Sequence, residues 1–146
     1  MDKDLHSIQQ ARTLLRQSRA AFDAYHHFSQ EKVDRIVRDM VRAGVEASER
    51  LAKMALEETG FGRLESKIQK NLFATRTLSE RMAGMKTCGI INTTENDSIW
   101  EIAAPMGVVA GLVPSTNPTS TAMYKAIIAA KARCGMVLSP HPRAKK

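Results

Sequence analysis

The sequence predicts an α/β fold made of N-terminal helices, a β-hairpin, and then the first βαβ unit of an incomplete parallel sheet. Three observations carry that expectation. Through the first half of the chain, apolar residues recur at helical spacing. After Gly84 the pattern changes to short β-like runs, "TCGII" and "SIWEIA", separated by the turn-forming cluster "NTTEND". Further on, "VVAGLV" at Val108–Val113 is apolar without polar alternation, as expected of a parallel strand buried on both faces.

Taken in order, the first predicted helix runs from about Asp4 to Tyr25, with Leu5, Ile8, Leu15, Phe22 and Tyr25 near one face. His26, His27 and Phe28 interrupt the pattern. Ser29 is then a suitable N-cap, with Glu31 in the first turn, for a second helix reaching about Glu58. Its inward stripe is Val33, Ile36, Val37, Met40, Val41, Val45 and Leu51. "ETGFG" reads as a helix stop. A third helix follows from about Arg63 to Met82, with Leu64, Ile68, Leu72, Phe73 and Leu78 inward. The hairpin comes next, and then the Val108–Val113 strand. A helix from about Thr119 to Arg133 has Met123, Ala126, Ile127 and Ala130 inward and Gly135 closing it, before a second buried strand, "MVL". Strand, helix and strand make one right-handed βαβ unit. Two parallel strands do not make a stable sheet alone, so the chain reads as the front of a larger α/β protein. The expected divisions are a helical segment at 1–84, a hairpin at 85–104, and the start of a further domain at 105–146.

Composition narrows the class. The 146 residues are 43% apolar and 25% charged, which is ordinary for a globular protein and excludes a disordered chain. Aromatic residues make up 5%, so the core must rest on aliphatic side chains. No apolar run approaches the roughly 18–20 residues of a membrane-spanning helix, and no signal peptide is visible. Cys88 and Cys134 lack a partner spacing and read as free thiols in a reducing compartment; no metal site is expected. A soluble, cytoplasmic protein is the expectation. The net charge of +7 gathers on Arg12, Arg16 and Arg19, on Arg35, Arg38 and Arg42, and on the tail Arg143, Lys145 and Lys146. With acids interspersed and no stacking aromatics alongside, these read as solvated faces, and nucleic-acid binding is disfavoured.

The turn "PSTNPTST", Pro114–Thr121, sits between the carboxyl end of a parallel strand and a helix N-terminus, where ligands of open α/β sheets bind. It lacks the glycines and the Gly-Lys-Ser/Thr ending of a phosphate loop. It is not a dinucleotide fingerprint either, since Gly107 and Gly111 precede the turn. Asn117 stands out. Its amide donors at a strand end are able to stabilise an oxyanion during acyl transfer. Alternatively it is simply the N-cap of the helix, with Pro118 at the first helical position. The two roles are compatible if the oxygen caps while the amide donates.

"GVVAGLVPSTNPTSTAMYKAIIAAKAR" together with "LSPHPRAKK" resembles the start of the cofactor domain of CoA-acylating aldehyde dehydrogenases. That family includes the aldehyde dehydrogenase half of bifunctional aldehyde-alcohol dehydrogenases and enzymes housed in bacterial microcompartments. "KMALEETGFG", "KNLFAT" and "KTCGII" extend the resemblance over nearly the whole chain. It implies a Rossmann-like NAD-binding domain beginning at 105, NAD as cofactor, CoA as co-substrate and a small aldehyde as substrate. Asn117 would be the oxyanion donor. Val113, Pro114, Ser115 and Thr116 would line the nicotinamide side of the cofactor, and Ser139, Pro140, His141 and Pro142 the adenosine side. His141 is either a contact to the ribose or phosphate or a plain loop histidine. Many non-acylating relatives carry a lysine in that segment, and Cys134 stands where a polar residue such as asparagine is usual.

The family chemistry uses a cysteine thiolate that attacks the aldehyde, after which hydride passes to NAD and CoA takes the acyl group. Neither cysteine here fits that part, so the nucleophile is expected in a separate downstream domain and the chain alone is expected to be inactive. Oligomerisation would likewise use segments outside this chain. The alternative is an interaction module whose N-terminal helices dock onto partner subunits or a microcompartment shell.

Overall fold

The computed structural model describes residues 2–96 and 98–145, so Asp97 of the predicted turn cluster and Lys146 of the basic tail lie outside the described residues. Helices α1 (Lys3–Tyr25), α2 (Gln30–Glu46), α3 (Ser48–Thr59) and α4 (Leu64–Leu72) are followed by a wide π-helical turn at Phe73–Thr77 and the short helix α5 (Leu78–Met82). Strands β1 (Gly89–Thr93) and β2 (Trp100–Ala103) come next, then β3 (Val108–Val113), α6 (Pro118–Lys131) and β4 (Gly135–Pro140). β1 and β2 form an antiparallel pair with a bulge between Ile90 and Asn92. β3 and β4 are parallel, in register from Val108 opposite Gly135 to Val113 opposite Pro140. The expected α/β class, the hairpin and the βαβ connection are all present. Among the described residues no helix is long and apolar enough to cross a membrane.

The core forms around α6. Its sequence, "PTSTAMYKAIIAAK", is apolar nearly all round, and such a helix must be covered on several sides. Ile127 is buried against Val33 and Val37 of α2, with Tyr25, Phe28, Met40 and Ala130 around them. Each such aliphatic side chain contributes about 1.5–3 kcal/mol on burial. The Tyr25 hydroxyl donates to the Ala130 carbonyl at 2.8 Å, which satisfies the polar tip of a half-buried ring.

Polar contacts fix the helices in register with the hairpin. Lys131 Nζ donates to Asp34 Oδ1 at 2.6 Å, joining α6 to α2. Gln30 donates to the same carboxylate at 2.9 Å, while its Oε1 accepts from the Thr87 and Cys88 backbone amides at 2.7 and 3.0 Å. The Arg133 guanidinium reaches the carbonyls of His26 at 2.7 Å and Ala103 at 3.0 Å, fastening the end of β2 to the α1–α2 loop. Burial alone would raise the Asp34 carboxyl. Hydrogen bonds from Lys131 and Gln30, with the charges of Lys131 and Arg38, outweigh it and hold the group below its ordinary value.

Several expectations change. The helix predicted from Ser29 to about Glu58 is two, broken at Ala47, although neither Gly nor Pro stands there. A side chain supports the break: Asn71 Nδ2 donates to the buried Ser48 carbonyl at 2.8 Å. Leu5, Ile8 and Leu15 are exposed rather than inward, and α1 approaches the sheet closely at Ser18 and Phe22, the second of which is buried. Phe73, expected inward, is 69% exposed. The π-helical turn rotates it outward and sends Thr75 inward instead; Thr75 Oγ1 donates back to the Asn71 carbonyl at 2.8 Å. The β3 strand is not buried on both faces, since Leu112 is 71% exposed. Gly135 does not close α6. The left-handed residue there is Arg133 (φ 57°), and Gly135 begins β4. A Cβ at Gly135 would lie 2.8 Å from the Ser18 carbonyl, so this glycine permits the close approach of α1.

A similar approach explains Gly44 in mid-α2, where a Cβ would meet Thr75 Cγ2 at 2.7 Å and Met123 Sδ at 3.2 Å. Because Thr75 is fully buried and back-bonded, it has nowhere to move. Gly44→Ala is therefore expected to destabilise the fold by about 1–3 kcal/mol, read as a lower urea midpoint, despite alanine's better helix propensity. The Asp34 carboxylate contributes stability that is fully present above the unfolded carboxylate pKa and lost as pH falls through its lowered folded value. Asp34→Asn should accordingly flatten the loss of stability below about pH 4 relative to the unaltered chain.

Candidate functional site

The two sequence-predicted clusters meet at the carboxyl ends of the parallel pair. Val113 lies opposite Pro140 in register, and the His141 backbone amide donates to the Val113 carbonyl at 2.8 Å. Ser139, Pro140, His141 and Pro142 are exposed there. His141 Nδ1 accepts from the Arg143 amide at 3.2 Å, which leaves the ring proton of the neutral side chain on Nε2. Beyond it Ala144 is buried, and the Lys145 amide donates to Glu58 Oε1 at 2.7 Å, docking the segment on α3. In the other cluster Val113 is buried, Ser115 half-buried, and Pro114 and Thr116 exposed. Val113 and Pro140 line an apolar recess of about 220 Å³ with Leu51, Met54 and Pro118.

Asn117 occupies the N-cap position of α6, with Pro118 at the first helical position, as the capping reading required. Its side chain makes no capping hydrogen bond. The compatible pair of roles, oxygen capping and amide donating, is therefore not what forms. Asn117 Oδ1 instead accepts from Lys70 Nζ at 2.8 Å. An ammonium only donates, so that partner identifies which end of the amide is oxygen. The Nδ2 donors are left with a 3.5 Å approach to Thr116 Oγ1. Asn117 lines a cleft of about 780 Å³ with Lys70, Phe73, Arg76, Tyr124 and Lys125. The wide turn at Phe73–Thr77 supplies one wall and the exposed side of α6 the other. Neither Cys88 nor Cys134 is among the lining residues; both are free and half-buried. No group of three or more metal-ligating His, Cys, Asp or Glu occurs among the described residues.

Two lysines of α4 were missed by the sequence reading. Lys67 is buried and its Nζ donates to the Thr116 carbonyl at 3.0 Å; Lys70, one turn later, holds Asn117. Next to them Asn71 is buried and accepts at Oδ1 from Thr119 Oγ1 at 2.8 Å, tying α4 to the first turn of α6. The signal lay in the periodicity. Leu64, Lys67, Ile68, Asn71 and Leu72 fall on one helical face, so a lysine and an asparagine stand where apolar residues would be expected. Polar residues on an inward face mark a buried contact to be accounted for.

Burial lowers the Lys67 ammonium below its ordinary value, and the Lys70 charge pushes it the same way. The sign follows: below the lowered folded pKa the buried charge costs stability, and the cost fades as pH rises toward the unfolded value of 10.5. Lys67→Met keeps the stem and removes the charge. The urea midpoint of the unaltered chain should therefore gain on that of Lys67→Met as pH rises from 7 toward 10; a constant difference would refute the assignment.

Comparison with known proteins places these observations. Residues 5–145 match the sequence model of the Aldehyde dehydrogenase family. The chain is 45% identical over 133 residues to an aldehyde-alcohol dehydrogenase of Clostridium acetobutylicum, covering 91% of this chain and 15% of that protein. It is 35% identical to an acetylating succinate-semialdehyde dehydrogenase of Clostridium kluyveri, covering 91% of this chain and 29% of the relative. Among solved structures, an acetylating aldehyde dehydrogenase from Geobacillus thermoglucosidasius superposes with a TM-score of 0.95 at 50% identity, over 99% of this chain and 32% of that one. The chain thus spans less than a third of the length of the curated relatives it matches. The arrangement of helices, hairpin and βαβ unit is that of the N-terminal region of those relatives, and the chain belongs to the aldehyde dehydrogenase family.

Proposed function

We infer that this chain forms the N-terminal part of an NAD-dependent, CoA-acylating aldehyde dehydrogenase, with 105–146 beginning its cofactor domain. The observation that carries the reading is Asn117. It sits in the turn after β3, on the wall of a ligand-sized cleft, with its oxygen occupied by Lys70 and its amide donors left with only a 3.5 Å approach to Thr116 Oγ1. A carbonyl oxygen in that cleft would accept from Nδ2, and the bond would strengthen as the oxygen becomes anionic. Such a donor is worth about 10²–10³ in kcat.

NAD, when bound, accepts a hydride. Val113, Pro114, Ser115 and Thr116 would hold it on the nicotinamide side, and Ser139, Pro140, His141 and Pro142 on the adenosine side. Those positions fit the group, since they offer backbone, hydroxyls and an imidazole at adjoining strand ends and none of them is acidic. The thiolate that attacks the aldehyde comes from outside the described residues, because Cys88 and Cys134 do not reach the cleft. Acyl transfer to CoA therefore also depends on the rest of the enzyme, and the chain alone does not turn over.

A second reading, docking onto other subunits, draws on the exposed Leu5, Ile8 and Leu15 of α1. It is compatible with the first, since such a face is also open to be covered elsewhere in a longer enzyme. A test of the main reading combines two measurements. Titrating NAD into the isotope-labelled chain should move the backbone amides of Val113, Ser115, Thr116, Ser139 and His141, while acetaldehyde, CoA and NAD together yield no NADH. In a complete enzyme carrying this segment, Asn117→Ala should lower kcat by about 10²–10³ with little change in KM. An unchanged kcat would sink the oxyanion role.

A further inference from the structure

We propose that Lys70 is a positioning residue, which fixes the Asn117 amide in one of its two flipped orientations, with the oxygen occupied and the N–H donors left for an incoming acceptor. The inference rests on the oxyanion role just proposed and adds a second residue to it, from a helix some distance away in the chain.

A terminal amide has nearly equivalent shapes in its two flipped states, so packing alone selects poorly between oxygen and nitrogen. Selection needs a neighbour that only donates or only accepts. Lys70 Nζ, 2.8 Å from Oδ1, is donor-only and positively charged. Flipping the amide would set Nδ2 against an ammonium, replacing a charge-assisted hydrogen bond with a repulsive contact. The alternative fix, a capping bond from Oδ1 to the first turn of α6, is absent. A cation on the oxygen also draws electron density toward that end and makes the N–H groups better donors.

The backbone around Asn117 is held from the same helix. Lys67 Nζ donates to the Thr116 carbonyl at 3.0 Å, immediately before the asparagine. Asn71 Oδ1 takes the Thr119 hydroxyl at 2.8 Å, two residues after it. Lys67, Lys70 and Asn71 therefore grip three successive parts of the turn. The arrangement is unfavourable by the ordinary rules of helices: two lysines stand one turn apart, one of them buried, with no carboxylate among the described residues paired to either by a salt bridge. Local rules broken in this way are expected where a site, and not the fold, sets the residue.

The experiment uses the isotope-labelled chain and the side-chain NH₂ resonances of Asn117, identified by their loss in Asn117→Asp. Cross-peaks between the Lys70 side-chain methylenes and the Asn117 NH₂ protons are expected in the unaltered chain. Lys70→Met should return the Asn117 NH₂ pair toward free-asparagine shifts while backbone resonances outside α4 and the turn stay put. Lys70→Arg, which offers a charged donor to the same oxygen, should restore the displaced shifts. A side-chain NH₂ pair that is unchanged in Lys70→Met overturns the proposal. So does the absence of Lys70–Asn117 cross-peaks in the unaltered chain, a result that needs no variant to fold. NAD titrated into the same samples separates the two proposals. Normal movement of the Val113, Ser115 and Thr116 amides with an indifferent Asn117 NH₂ pair removes Lys70 and leaves the family reading intact. A Lys70-dependent NH₂ pair without NAD-induced shifts does the reverse.

Discussion

The structure depends on the burial of α6. A parallel β3–β4 pair requires a crossover, and the crossover helix here is apolar on nearly every side. Ile127 closes one side against Val33 and Val37, the sheet closes another, and α4 with its wide turn closes a third through Asn71, Thr75 and Thr119. The polar contacts repeat the same geometry. Lys131, at the end of α6, reaches Asp34 of α2, and its carbonyl accepts from Thr87 Oγ1 at 2.6 Å. Remove α6 and the N-terminal helices, the hairpin anchor and the turn before it would lose their common support.

That dependence also sets the site. Asn117 caps α6 at the close of the short turn that leaves β3 at Val113, so its place follows from the crossover itself. What the crossover does not decide is the direction of the side-chain amide. The α4 lysines lie across the turn from it, and α4 is held there by its own packing against α3 and α6. Fold and site thus meet in one helix: the residues that dock α4 are interleaved with those that grip the turn.

Much of the architecture was legible from the pattern of apolar residues. The change of period after Gly84 announced the hairpin, and the run Val108–Val113 followed by a polar turn announced the βαβ unit. The failures have a common physical origin. Periodicity records which side chains are apolar, and it does not record what covers them. Leu112 belongs to a strand that looks buried on both faces, yet one face has no layer on it among the described residues; Leu5, Ile8 and Leu15 fail for the same reason. The break at Ala47 and the π-helical turn at Phe73–Thr77 were invisible because neither is made by Gly or Pro. The contacts beside them come from side chains instead: Asn71 bonds to the Ser48 carbonyl next to the break, and Thr75 bonds backward within the wide turn. At the site, Asn117 was legible because its turn has a distinctive composition. Lys67 and Lys70 were not, since a lysine on a helix reads by default as solvated.

The contacts of α6 reach very far back along the chain, and this has a consequence for synthesis. Tyr25 bonds to Ala130 and Arg133 to His26, separations of 105 and 107 residues. At a translation rate of about 5–20 residues per second, the apolar faces of α1 and α2 leave the ribosome roughly 5–20 seconds before their partner helix exists. For that interval Val33 and Val37 lack Ile127, the buried side chain on which they close. The core of the N-terminal helices is thus completed only late in synthesis, when α6 emerges and brings Ile127 to them.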